Sequence, residues 1–112
     1  MRQMSDYIER NLFDAGGHTD NIYYIRIVRR SDSKVWNPTT EEMVDGALAD
    51  WDDTITFLIE DGTTGVFPII IVKELPAGTF DCIVFQQLGS EPANTDDVTK
   101  QFEFKHGDIF GF

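Results

Sequence analysis

Two stretches of strict alternation constrain this chain more than any other feature. Thr54-Ile55-Thr56-Phe57-Leu58-Ile59-Glu60 places Ile55, Phe57 and Ile59 on one side and Thr54, Thr56 and Glu60 on the other. Val98 to Lys105 sets Val98, Phe102 and Phe104 against Thr99, Gln101, Glu103 and Lys105. A period of two is the signature of a strand with one face buried. Turn chemistry separates such runs. Asp61-Gly62-Thr63-Thr64-Gly65 holds two glycines able to take positive φ, and Leu75-Pro76-Ala77-Gly78 spaces Pro and Gly as a tight turn needs them.

Further strands follow from β-branched and aromatic content. Ile22 to Val28 is apolar on both faces until Arg26, so both faces are expected to be covered. Arg29 to Ser33 is a polar turn, and Lys34-Val35-Trp36 a short return strand closed by Asn37-Pro38. Thr39 to Ala49 is ambiguous between a loop and a helical turn capped at Thr40-Glu41-Glu42. Val66 to Lys73 is a strand in which Pro68 lacks a donor, which puts it at an edge or a bulge. Thr79 to Gln86 sets Phe80, Cys82 and Val84 on one face and Ile83 and Phe85 on the other. Leu88 to Asp97 is a polar loop.

At 112 residues the chain has room for one core. The expected fold is all-β: an antiparallel sandwich of six or seven strands over residues 21–105, resting on Trp36, Phe57, Phe80 and Phe102. An N-terminal arm and hinge (1–20) precedes it, and an aromatic tail (106–112) follows. Met4, Ile8 and Leu12 fall on one helical stripe, so the arm is expected to be a short helix that orders against a partner. Met4, Tyr7, Ile8, Leu12 and Phe13, with Phe110 and Phe112 of the tail, are the expected docking residues.

Charge narrows the partners. The net charge is −11, and residues 35–112 carry fifteen acids against three bases. Such a body repels phosphate, so nucleic acid is not an expected partner. No apolar run nears the roughly 20 residues of a membrane helix, and no apolar stretch follows Arg2 to make a signal peptide. Synthesis in the cytoplasm is expected. Arg26, Arg29 and Arg30 form a basic cluster read as a rim or a solvated turn.

No constellation points to catalysis. His18 with Asp20 and His106 with Asp108 lack a marked nucleophile, and both histidines read as solvated loop residues. Asp50, Asp52 and Asp53 surround Trp51 but lack the spacing of a calcium loop, so a solvated loop anchored by Trp51 is favoured over a metal site. Cys82, the single cysteine, reads as a buried inert thiol. No cofactor motif is present. Trp36 and Trp51 keep open a carbohydrate-binding or adhesion reading, though both suit core anchors. An enzyme accessory subunit or inhibitor is the third reading.

The ordered series Val35-Trp36-Asn37, Trp51-Asp52, Gly65-Val66-Phe67-Pro68, Leu75-Pro76-Ala77-Gly78-Thr79-Phe80, Val84-Phe85-Gln86-Gln87 and Gly89-Ser90-Glu91-Pro92-Ala93 resembles a small Ig-like domain of tailed-bacteriophage virion proteins. The resemblance spans roughly residues 22–105. Lys105-His106-Gly107-Asp108 stands where such domains close with Trp-Asp-Gly. The resemblance implies an Ig-like sandwich with a non-enzymatic structural role in a virion, as capsid decoration or as a neck, tail or baseplate component. It implies docking on other virion proteins, in multiple copies of a symmetric assembly put together in the host cytoplasm.

Overall fold

The computed structural model describes residues 7–15, 21–72 and 74–107, with side chains from residue 12 onward. Within these residues there are eight strands and no α-helix: β1 (Tyr7–Asp14), β2 (Tyr23–Arg29), β3 (Val35–Asn37), β4 (Glu42–Val44), β5 (Thr56–Phe57), β6 (Val66–Val72), β7 (Gly78–Gln86) and β8 (Asp97–His106). A 3-10 turn at Trp51–Thr54 precedes β5.

The strands form two antiparallel sheets. The larger has the order β4-β3-β2-β7-β8, with β5 pairing the near end of β2; the smaller pairs β1 with β6. The chain leaves the large sheet after β5, builds β6 in the small sheet, and returns as β7 beside β2. The expected turns make these crossings. Gly62 and Gly65 take φ of 66° and 79° in the turn before β6, a region that other residues enter only with strain.

Period two explains the core. β2 directs Tyr23, Ile25 and Ile27 to the space between the sheets, where they meet Trp36, Phe80, Cys82, Val84 and Phe104 of their own sheet and Phe13, Phe67, Ile69 and Ile71 of the other. Each such side chain contributes about 1.5–3 kcal/mol on burial. The opposite face of β2 is also covered, as its two-sided apolar sequence requires. There Tyr24, Ile55 and Phe85 form a second cluster with Trp51 and Ile83 packed against it.

The N-terminal segment differs from expectation. Residues 7–14 are a strand and not a helix, with Leu12 opposite Pro68, Phe13 opposite Phe67 and Asp14 opposite Val66. Phe13 is only 7% exposed and meets Tyr23 edge-to-face at 4.8 Å. Pairing with β6 satisfies backbone groups that a ten-residue helix alone in water would hold only marginally. The segment is packed on the sandwich and is not a detached arm.

Two other expectations need correction. Phe57 and Ile59 are exposed although Ile55 is buried, because the β5 ladder is only two residues long and the chain then crosses between the sheets. Leu58, not its neighbours, packs on the main core, and its amide donates to the Tyr23 carbonyl at 2.9 Å. His106 is the last residue of β8 and is buried, not solvated. The ambiguous stretch after Pro38 contains β4, which pairs with β3.

Pro68 lies on an edge, and the ladder shows which one. The Ala15 amide donates to the Gly65 carbonyl at 2.8 Å. In an antiparallel pair, backbone groups point to the partner at every second residue. Phe67 and Ile69 therefore turn their backbone groups toward β1, whereas Val66, Pro68 and Ile70 turn theirs away. The Val66 carbonyl fits this phase, since it accepts the Asp61 amide at 2.8 Å. β6 pairs with no other strand among the described residues. Its open edge thus offers the amide and carbonyl of Ile70, and at Pro68 a carbonyl alone.

Candidate docking groove

Beside that open edge lies a cleft of about 490 Å³, lined by Ile25, Phe57, Leu58, Ile59, Pro68, Ile70 and Val72, with Glu60 and Asp61 at its rim. A smaller depression of about 130 Å³ shares Ile25, Thr56, Ile70 and Val72 with it and extends to Trp36, Pro38 and Glu41. Together they form one groove running between the open edge of β6 and the β2–β5 side of the large sheet. Two of its apolar residues are bare, Ile59 at 81% exposed and Ile70 at 46%, whereas the exposed Phe57 ring stands on the outer face of the large sheet, edge-to-face with Tyr24 at 6.1 Å. Leu12 is also exposed and lies opposite Pro68, which extends this apolar surface across the outer face of the small sheet.

The rim is acidic. Glu41, Glu60 and Asp61 line the two depressions, and no Lys or Arg does so among the described residues. The Glu60 carboxylate accepts the Gly65 amide at 2.8 Å, which anchors the crossing chain at one end of the groove.

The docking residues expected from sequence are dispersed. Phe13 is in the core and Leu12 on the outer face of β1. Tyr7 and Ile8 belong to β1, paired along β6. Met4, Phe110 and Phe112 lie outside the described residues, as does His18. The exposure of Ile59 runs against the inward face that alternation gives it, and that of Ile70 is not indicated by the strand reading of Val66 to Lys73. A signal for Ile70 is present in Val66–Val72, a run apolar on both faces whose second face has no layer packed against it among the described residues.

The remaining candidates serve the scaffold. Trp36 is buried, and the Trp51 ring is covered by the Arg26 guanidinium at 4.3 Å while its Nε1 donates to Tyr24 Oη at 2.9 Å. Arg26 also donates to Thr54 Oγ1 at 3.2 Å, and burial lowers its pKa from the usual arginine value. Arg29 pairs with Asp32 at 2.7 Å, and Arg30 with Asp81 at 3.0 Å and Glu103 at 3.6 Å. The hydrogen bond from Arg29 holds Asp32 down at about 2. Asp50, Asp52 and Asp53 do not converge with other ligating side chains into a metal-holding group among the described residues. Cys82 is buried.

These features define an antiparallel β-sandwich whose smaller sheet, among the described residues, has one unpaired edge beside an apolar, acid-rimmed groove. No protein-family model, curated protein or solved structure matches the chain.

Proposed function

We propose that this chain is a non-enzymatic, protein-binding β-sandwich that serves as a structural component of a tailed-bacteriophage particle. The observation that carries the docking part is the bare apolar surface of Ile59 and Ile70 at one groove in a chain of net charge −11. Apolar surface gathered in one place and rimmed by polar groups is characteristic of an interaction site. The particle part rests on the ordered resemblance between residues 22 and 105. The carbohydrate reading is less well supported, because Trp36 is buried and the Trp51 ring packs against the Arg26 guanidinium and the Phe85 ring.

The test is fractionation of the cells that make this chain, with quantitative mass spectrometry of density-purified particles. Enrichment with particle proteins at a fixed stoichiometry is expected. A chain found wholly outside the particle fraction overturns the virion reading.

A further inference from the structure

We propose that the groove beside β6 is a strand-docking site, taking an extended segment of another protein that carries alternating apolar residues flanked by Lys or Arg. The inference deepens the docking reading above and names its site and the chemistry of its occupant.

Three observations converge. First, Ile70 directs its amide and carbonyl to an edge where no described strand pairs. A strand that lacks a neighbour is a template for one. Second, the groove next to that edge is lined by residues from both sheets: Ile25 and Thr56 on the large-sheet side, Pro68 and Ile70 on the other, with Leu58 and Ile59 of the crossing chain between them. An extended segment lying there would hydrogen-bond to Ile70 and drop every second side chain into the apolar cleft, since alternate residues of a strand face one side. The cleft volume of about 490 Å³ suits a few aliphatic side chains. Third, the charge selects the occupant. Glu41 lies at one end of the groove and Glu60 and Asp61 at the other. A basic flank at each end of the incoming segment meets an acid. A second copy of this chain would bring another net charge of −11 against the same acidic rim.

Pro68 limits the ladder. It has no amide to donate, so the backbone contribution is confined to the Pro68 carbonyl and the two groups of Ile70. Side-chain burial at Ile59 and Ile70 therefore supplies most of the affinity.

The test is titration of the full chain with a capped peptide of about eight residues, alternating Val or Ile with Ser or Thr and ending in Lys at both termini. A matched peptide ending in Glu is the control. Amide shifts by NMR should move at Ile70 and along Phe57–Asp61, and the Glu-ended peptide should bind at least ~tenfold more weakly at low salt. Ile70→Asp should abolish binding of the Lys-ended peptide. Ile59→Asp, at a more exposed position, repeats the test should the first variant fold poorly, as near-ultraviolet circular dichroism will report. Equal binding of the two peptides, shifts centred elsewhere, or no binding overturns the proposal. A dimer in sedimentation that Ile70→Asp dissolves overturns it too, because the occupant is then a second copy. The particle fractionation is read separately: Ile70→Asp that loads into particles at the normal level overturns the groove and leaves the virion reading intact.

Discussion

Tyr24 Oη donates to Asp96 Oδ2 at 2.5 Å, joining β2 to the loop before β8 across 72 residues of sequence. The same hydroxyl accepts from Trp51 Nε1, and Asp96 also accepts the amides of Leu88 at 3.0 Å and Ala93 at 2.9 Å. One buried tyrosine thus ties the 3-10 turn and the 88–96 loop to the outer face of the large sheet. Tyr24→Phe keeps the ring, which stacks on Phe85 at 5.3 Å, but strands the indole donor and removes one partner of the carboxylate. A loss of about 1–3 kcal/mol is expected in urea denaturation. Unchanged stability would show that the network adds nothing to the packing.

The same pair predicts the pH profile. Burial pushes the Asp96 carboxyl upward, but the hydrogen bonds from Tyr24, Leu88 and Ala93 outweigh it and hold the group below its ordinary 3.8. Its contribution is therefore present above that value and is lost as pH falls through the lower, folded one. Tyr24 is displaced the other way: burial first, then the bond to Asp96, pushes it up to about 12 from 10.0. Its contribution is complete below pH 10 and disappears between there and about 12. Thermal melts across pH should show both limbs, and Tyr24→Phe should flatten the alkaline one. An alkaline limb unchanged in that variant would assign it to other groups.

Phe13 carries the third prediction. It is wedged between Tyr23 and Phe67, with ring centroids at 4.8 and 6.2 Å. Phe13→Ala is expected to cost about 3–5 kcal/mol. Deleting residues 1–15 would strip β6 of its only described partner strand and uncover Ile69 and Ile71, so the truncated chain should fail to fold cooperatively. A truncated chain with a wild-type melt would show that β1 is dispensable.

The fourth concerns the end of β8. Gly107 has φ of 81°, and a Cβ there would lie 2.7 Å from the Ala77 Cβ and 2.8 Å from its Cα. Gly107→Ala should destabilise by about 1–3 kcal/mol through backbone strain, with the clash in addition. Adding Ala77→Gly should recover part of the loss, since it removes one of the two close contacts. Full recovery would mean that the positive φ costs little.

Much of the fold was legible because strand faces read in steps of two. β2 follows from β-branched and aromatic content, β7 and β8 from the division of their apolar residues between faces, and the turns at 61–65 and 75–78 from Gly and Pro. The arm was misread for an arithmetical reason. Met4, Ile8 and Leu12 are spaced by four, which suits one helical stripe and equally one face of a strand. The telling feature was Phe13 beside Leu12: on a strand two neighbours face opposite sides, so Phe13 enters the core while Leu12 is left exposed on the outer face of β1. The groove was illegible for another reason. Ile55, Phe57 and Ile59 alternate well, but exposure there depends on where the chain switches sheets, and that is set by Tyr23 accepting the Leu58 amide from far away in sequence. The 88–96 loop looked merely polar, although one of its acids, Asp96, organises it through contacts that only the folded chain creates.

The missing hydrogen on Pro68 has a consequence for how the protein behaves in a crowd. A sheet with an unbroken free margin grows: each newcomer presents a fresh margin to the next, and the product is a fibre. Here the margin is interrupted midway, so a stray flat strand finds no continuous run of donors and zips no further than Ile70. Growth by repeated addition is thereby discouraged. A bare apolar groove at a sheet margin is in this way guarded against adding copy to copy.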